Sequence, residues 1–115
     1  YSLFGYLLAP ISGVYNFSMN NDDNGYAWIG DNALNPTMSN YFIGSTYGLT
    51  NANITLVAGN IYPIRIYIGN SSGGGYLYFD FTISSFKLSI NLFVNFNLNL
   101  FETMPQISNI FLEFK

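Results

Sequence analysis

Short runs of alternating apolar and polar residues recur along the chain, separated by turns rich in Asn, Gly, Ser and Pro. In the first clear run, apolar Tyr15, Phe17 and Met19 alternate with polar residues, the period-2 pattern of a half-buried strand. Further strands are predicted over residues 3–8, 26–29, 53–57, 61–68 and 76–83. No segment before residue 84 shows the 3.6-residue period of a helix, so the pattern predicts an all-β sandwich or barrel.

Two connections between strands are predicted where turn-forming residues interrupt the apolar–polar alternation. Residues 20–25 collect Asn, Asp and Gly, which predicts a turn that joins the strands at 15–19 and 26–29 as a hairpin. Residues 32–47 are irregular and rich in Asn and Ser, which predicts a long loop with one short strand or helical turn within residues 38–43.

The tail has a different pattern. From residue 86 to residue 100, apolar residues occupy every even position, a long span for one strand. One interpretation is one or two closing strands, bent near Phe93; the other is a divergent or read-through extension. Residues 102–115 contain a further apolar run and predict a last strand. An unpaired strand of this kind would aggregate, so we expect it to pair within the fold or with another chain.

Composition excludes several function classes. Only 8% of the 115 residues are charged and the net charge is −3, so three scattered cations cannot neutralise a nucleic-acid backbone. No lysine-rich amphipathic segment predicts a membrane surface or insertion. The chain has neither Cys nor His, which excludes Ser–His and Cys–His catalysis and His-ligated zinc. No carboxylate pair has a partner that would make it catalytic, so we predict a protein that is not an enzyme.

The chain begins at Tyr1 and resembles a mature product or an excised fragment. Glycosylation triplets begin at Asn16, Asn53 and Asn70, and they give weak support for secretion because such triplets arise by chance in Asn-rich chains.

Asp22 and Asp23 are the strongest candidates for chemistry. They are two of only six carboxylates in the chain. Adjacent like charges cost free energy unless something neutralises them, and a hard cation that prefers oxygen ligands would do so. Taken alone, however, such a pair is more often a solvated turn. The glycine-rich stretch at residues 69–75 is not a phosphate-binding loop, because no Lys-Ser/Thr follows it.

Two blocks of sequence change this balance. The first contains Gly5-Tyr6, the run 10–18, Asp22-Asp23 and the run 27–33; the second contains the run 56–66, Asn70 and Gly73-Gly74. In order and spacing they resemble the GLEYA domain, a member of the PA14 superfamily found in fungal cell-wall adhesins. The resemblance covers about residues 4–84. We therefore expect residues 1–84 to form this domain, without its first strand, and residues 85–115 to form a β-rich extension or closing strands.

The resemblance implies a PA14-like antiparallel β-sandwich with a calcium-dependent sugar site. In such domains a cis peptide joins the two aspartates, and Asp22 and Asp23 match that pair. Asn70 matches the loop asparagine that completes the side-chain ligands, and the carbonyl groups of Ser72 and Gly74 match the main-chain donors. Sugar hydroxyls would fill the open positions of the Ca²⁺, which accepts 6–8 oxygen ligands.

Several neighbouring residues receive their own interpretations. Trp28 is expected to pack in the core rather than to stack on a sugar, whereas Tyr76 is the candidate sugar-facing aromatic. Asp31 is read as a turn residue and Arg65 as a solvated or locally paired cation. A calcium-ligating Asn70 would leave its glycosylation triplet unused.

The leading hypothesis is a calcium-dependent, lectin-like carbohydrate-binding module of a secreted, cell-wall or cell-surface fungal adhesin, with glycoprotein character. Its expected partners are cell-surface glycans with terminal galactose- or mannose-type sugars, together with self-association through the C-terminal strands. The alternative is a non-catalytic structural or assembly module that keeps the same fold. A third hypothesis is an accessory module beside a glycosidase.

Overall fold

The computed structural model describes residues 1–83, 86–95, 100–105 and 110–114. The chain forms two five-stranded antiparallel sheets and one helical turn. The elements, in chain order, are β1 (Ser2–Leu8), β2 (Gly13–Asp22), β3 (Asn24–Ile29), α1 (Asp31–Leu34), β4 (Ile43–Ser45), β5 (Gly48–Leu56), β6 (Ile61–Gly69), β7 (Tyr76–Ile83), β8 (Phe86–Asn95), β9 (Leu100–Pro105) and β10 (Ile110–Phe114). The first sheet has the order β10-β1-β6-β3-β4 and the second β5-β2-β7-β8-β9. The predicted all-β, PA14-like antiparallel sandwich is confirmed.

The core lies between the two sheets and is built by the period-2 pattern of their strands. Phe17, on β2, is fully buried, and its ring centroid lies 5.0 Å from that of Phe42, 5.6 Å from Phe79 and 5.2 Å from Phe81. Buried Ile64 of β6 faces this cluster from the first sheet. Burial of one such side chain contributes about 1.5–3 kcal/mol to folding, so the aromatic cluster is a main source of stability.

The predicted hairpin at residues 20–25 is wrong. β2 lies between β5 and β7 in the second sheet, whereas β3 lies between β6 and β4 in the first. The chain therefore crosses from one sheet to the other at Asp23, the single residue between the two strands. Alternation shows that each strand buries one face, but both sheets bury their inner faces against the same core, so alternation could not assign the sheet.

The predicted long loop over residues 32–47 is also partly wrong. It overlaps α1 and contains β4, while residues 38–42 form no helix or strand. The helix is a single turn, which is too short to show a 3.6-residue period. The strand predicted at residues 53–57 begins earlier, at Gly48. The apolar pattern missed this start because the first inward positions, Gly48, Thr50 and Ala52, are not large apolar residues.

The tail strands belong to both sheets. β8 pairs with β7 and β9 pairs with β8, while β10 pairs with β1 on the other sheet. The strands expected in the tail thus pair within the fold, and β8 continues through Phe93 to Asn95. Parts of the two predicted tail strands, residues 96–99, 106–109 and 115, lie outside the described residues. The division of the chain at residue 84 stays a prediction. Within the described ranges, no helix is long and apolar enough to cross a membrane.

Candidate functional site

Two inter-sheet connections lie side by side at one end of the sandwich. The first passes through Asp23 from β2 to β3, and the second spans residues 70–75 between β6 and β7. Asp22 is paired with Tyr76 in the second sheet, and Asn24 is paired with Gly69 in the first. Because the strands on both sides of the two crossings are neighbours, the connections must run beside one another. The topology thus brings the aspartate pair to the glycine-rich loop, 48 residues later in the chain.

The aspartate pair has the peptide geometry that the resemblance implies. The Asp22–Asp23 bond is cis, although neither residue is proline. Asp22 is the last residue of β2, where it occupies the outward side of the strand, and both aspartates are half-buried.

A buried asparagine supports the pair from behind. Asn21 is fully buried, and its Nδ2 donates hydrogen bonds to the main-chain carbonyls of Asp23 and Ser45, the latter at 3.1 Å. The Ser45 hydroxyl in turn donates to Asn21 Oδ1 at 3.2 Å. The Asn21 side chain therefore provides hydrogen-bond donors for two main-chain carbonyls inside the sandwich and fixes the position of the Asp23 carbonyl. Sequence reasoning missed Asn21, although it occupies the inward position that follows Met19 on β2 and is the one polar residue in that row.

Gly25 allows this arrangement to pack. A Cβ atom on Gly25 would lie 3.0 Å from Asn21 Cγ and 2.9 Å from atoms of Met19 and Leu77. These distances are shorter than a normal van der Waals contact, so any larger residue would displace Asn21 or its neighbours. Gly25 thus connects the core packing to the position of the aspartate pair.

The glycine-rich loop binds the pair through Ser71. The main-chain N–H and the hydroxyl of Ser71 both donate to Asp23 Oδ2, at 2.7 and 2.6 Å. These two bonds lower the pKa of Asp23, because they favour the carboxylate form. Neither bond uses Oδ1. The sequence did not single out Ser71, because its role depends on a contact between distant segments.

Asp22 has the opposite electrostatic behaviour. Its pKa is raised by partial desolvation and then by a hydrogen bond with Asp23 and the negative charge of that neighbour. The opposite directions of the two pKa shifts follow from the closeness of the two carboxyl groups and from the bonds that only Asp23 receives from Ser71. The nearest described side-chain cation in sequence, Arg65, does not relieve this repulsion. Its Nε donates to the Ala33 carbonyl at 2.9 Å and its Cζ lies 4.8 Å from the centre of the Phe4 ring.

Asn70 carries the atom that most needs a ligand. Its Nδ2 donates to the Gly73 carbonyl at 2.9 Å, which fixes the side chain within the loop. Its Oδ1 is buried and has no hydrogen-bond partner. A buried acceptor without a partner costs about 1–3 kcal/mol, so such atoms are rare in folded proteins unless something else satisfies them. The next residue, Ser71, binds Asp23, and the unsatisfied oxygen therefore belongs to the same loop as the aspartate contact.

The remaining predicted site residues lie around these groups. Ser72 and Gly74 are exposed in the loop on either side of Gly73, whose φ of 68° favours glycine. Tyr76 begins β7, opposite Asp22 in the register, and its ring is edge-to-face with that of Tyr78 at a centroid distance of 5.6 Å. Side chains alone cannot complete a metal site here, since no three His, Cys, Asp or Glu groups converge in the described part of the chain.

Trp28 is buried, as expected, but outside the inter-sheet core. It is 5% exposed, and its Nε1 donates to the Thr37 carbonyl at 2.8 Å, so the segment after α1 covers it. With Tyr26, Arg65 and Tyr67 it lines a groove of about 560 Å³ on the outer side of the first sheet. Asp22, Asp23 and Asn70 do not line this groove, which is therefore separate from the candidate site.

Together these features define an antiparallel β-sandwich domain whose candidate binding site is built from two neighbouring inter-sheet connections. A family model described as the GLEYA domain matches residues 1–84, and the chain therefore belongs to the GLEYA family. GLEYA domains are fungal adhesin-type, lectin-like domains and are not a catalytic family. The resemblance read from the two sequence blocks is thus confirmed. A search of the curated proteins found no match.

Proposed function

We propose that the protein is a calcium-dependent carbohydrate-binding module of a fungal cell-surface adhesin, located outside the cell. The observation that carries this proposal is the buried, unpartnered Oδ1 of Asn70, in the loop that also binds Asp23. A cation would relieve the unmet acceptor and the carboxylate repulsion together.

The chemistry of the donor set favours calcium among common cations. Asp22, Asp23 and Asn70 offer carboxylate and amide oxygens, and the main-chain carbonyls of Ser72 and Gly74 would add two more. Ca²⁺ prefers such oxygen ligands and accepts 6–8 of them in flexible geometry. Softer metals prefer thiolate or imidazole ligands, and the chain has neither Cys nor His.

This donor set would leave room for a ligand. The bound ion would supply a positive charge that hydroxyl oxygens of a terminal galactose- or mannose-type sugar can approach. Carboxylates such as that of Asp22 accept hydrogen bonds from those hydroxyls. Tyr76 adjoins Asp22 in the second sheet and offers an aromatic surface for the apolar face of a sugar. Affinity for one sugar should be weak, so adhesion would depend on several modules acting together.

Calcium binding is tested first by thermal unfolding with calcium and with a chelator. A ligand at one hundred times its Kd stabilises the folded state by about 2.7 kcal/mol, so calcium should raise the Tm by several degrees. D23N should abolish this shift. D31N is the matched control: it removes the same charge from an exposed aspartate in α1, outside the site, and should keep the shift.

Sugar binding is tested by titration calorimetry with galactosides and mannosides, in calcium and in chelator. The expected result is binding in calcium only, lost in D23N and retained in D31N. Binding that persists in chelator would reject the calcium mechanism. If calcium raises the Tm as expected but no glycan binds, the carbohydrate role is rejected and the calcium-site hypothesis stands.

A structural or assembly role is the alternative, and the open sheet edges favour it. Within the described residues, β5 and β9 each have a neighbouring strand on one side only. Such edges can pair with another chain. Deletion of the tail would also remove strands that pair with β7 and β1, so light scattering of the intact chain over a range of concentrations is the better test. A monomer at every concentration would reject assembly through these edges.

A further inference from the structure

The three glycosylation triplets occupy different structural environments. Asn53 lies on β5, an edge strand of the second sheet, and its side chain is exposed. Asn16 lies on β2, the next strand inward, and is half-buried. Asn70 lies in the candidate site and is half-buried as well. Because a glycan requires space around the asparagine Nδ2, the folded chain discriminates among triplets that the sequence leaves equal.

Asn53 has the geometry that a glycan needs. It shares the outward, exposed face of β5 with Thr55, the hydroxyl residue of its triplet. Its Oδ1 accepts a hydrogen bond of 2.6 Å from Asn16 Nδ2. That bond uses the carbonyl oxygen of the Asn53 amide and leaves its Nδ2 available. A substituent on Nδ2 would therefore preserve the one hydrogen bond that orients the side chain.

The other two asparagines use the atom that a glycan would modify. Asn16 Nδ2 is the donor to Asn53, and Asn16 lies between Asn53 and Thr82 of the neighbouring strands. Asn70 Nδ2 donates to the Gly73 carbonyl, and its Oδ1 is fully enclosed. At both positions Nδ2 already donates one hydrogen bond, so a glycan would replace its other proton and would have to fit beside the acceptor of that bond.

We infer that Asn53 is an N-glycosylation site and that Asn16 and Asn70 stay unmodified in the folded protein. In the reaction, Asn53 Nδ2 forms a bond to the anomeric carbon of a polyprenyl-pyrophosphate-linked oligosaccharide. The bond from that carbon to the pyrophosphate oxygen breaks, Nδ2 gives up one of its two protons, and the lipid pyrophosphate leaves. The inference rests on the extracellular location in the proposed function, since this donor is used in the secretory route.

The site is tested by secreting the 115-residue chain from a eukaryotic host and mapping its glycopeptides by mass spectrometry. The expected result is occupancy at Asn53 and bare peptides at Asn16 and Asn70. T55A, which keeps Asn53 and its hydrogen bond, should remove the whole glycan-dependent shift in electrophoretic mobility. S18A, the matched change in the triplet of Asn16, should leave that shift unchanged.

A second measurement uses folded protein produced in bacteria. A soluble asparagine glucosyltransferase and UDP-glucose are added, and the modified positions are mapped; glucose is expected at Asn53 and not at the other two triplets. Occupancy at Asn16 or Asn70 equal to that at Asn53, or a bare Asn53 in this assay, would overturn the inference. Neither readout involves calcium or a sugar ligand, so failure here is distinguishable from failure of the carbohydrate-binding proposal.

Discussion

Replacement of Asn21 by alanine tests whether the buried core supports the aspartate pair. Asn21 is the one fully buried polar residue among residues 1–83. Its amide joins the carbonyls of Asp23 and Ser45 and accepts a bond from the Ser45 hydroxyl. N21A removes all three interactions and leaves a small cavity, while the strand retains its inward alternation.

The expected cost follows from these contacts. A neutral hydrogen bond contributes about 0.5–1.5 kcal/mol net, so three lost bonds correspond to about 2–4 kcal/mol. Part of this cost is the desolvation of the two carbonyls left without a donor inside the sandwich. For a domain of this size, about 4 °C of Tm accompanies each kcal/mol, so the Tm should fall by about 8–16 °C.

The assay is chemical denaturation followed by tryptophan fluorescence, since Trp28 is the single tryptophan. The matched control is N20A, the preceding residue of β2 on the outward side of the strand, which should change stability by less than about 0.5 kcal/mol. The calcium-induced shift in Tm should also shrink in N21A, because the Asp23 carbonyl loses its anchor. A loss in N21A no larger than that in N20A would refute the argument that Asn21 supports this corner of the fold.

Three further predictions concern the packing and charge of the sandwich. F17A should lower the free energy of unfolding, measured with denaturant, by about 3–5 kcal/mol, because it empties the centre of the aromatic cluster. A loss below about 1 kcal/mol would contradict this and show that neighbouring side chains fill the space left by Phe17. G25A should cost about 1–3 kcal/mol by overpacking against Asn21; equal melting temperatures for G25A and wild type would contradict the close approach. Burial raises the pKa of Asp80, so its favourable contribution to stability is present below the unfolded pKa and is lost as pH rises through the folded pKa. D80N should therefore raise the Tm near neutral pH and leave it unchanged at a pH well below the usual pKa of a carboxyl group. An increase in Tm that is independent of pH would reject the desolvation argument.

The sequence determined much of the local structure. Period-2 alternation placed the strands that contain Phe17 and Phe79, because a buried strand face has to be apolar at every second residue. It also predicted strands in the tail, where β8, β9 and β10 lie. The pattern failed where its signal was weak: at α1, a single turn, and at the start of β5, where the inward residues are small or polar.

Tertiary structure decided where the strands go and what the site contains. Alternation cannot say which sheet a strand joins, so a connection that resembled a hairpin is a crossing between sheets. The contact of Ser71 with Asp23 and the burial of Asn70 Oδ1 depend on the two crossings lying together. From the residue pattern alone, Asp22 and Asp23 were two acidic residues in a turn, and the resemblance to the GLEYA domain added Asn70 as their expected partner. The surroundings of these groups, on which the cost of a charge or an unpaired oxygen depends, came only from the folded structure. The chain encodes the candidate ligand residues locally, and the sandwich brings Asp23 beside the loop that contains Asn70.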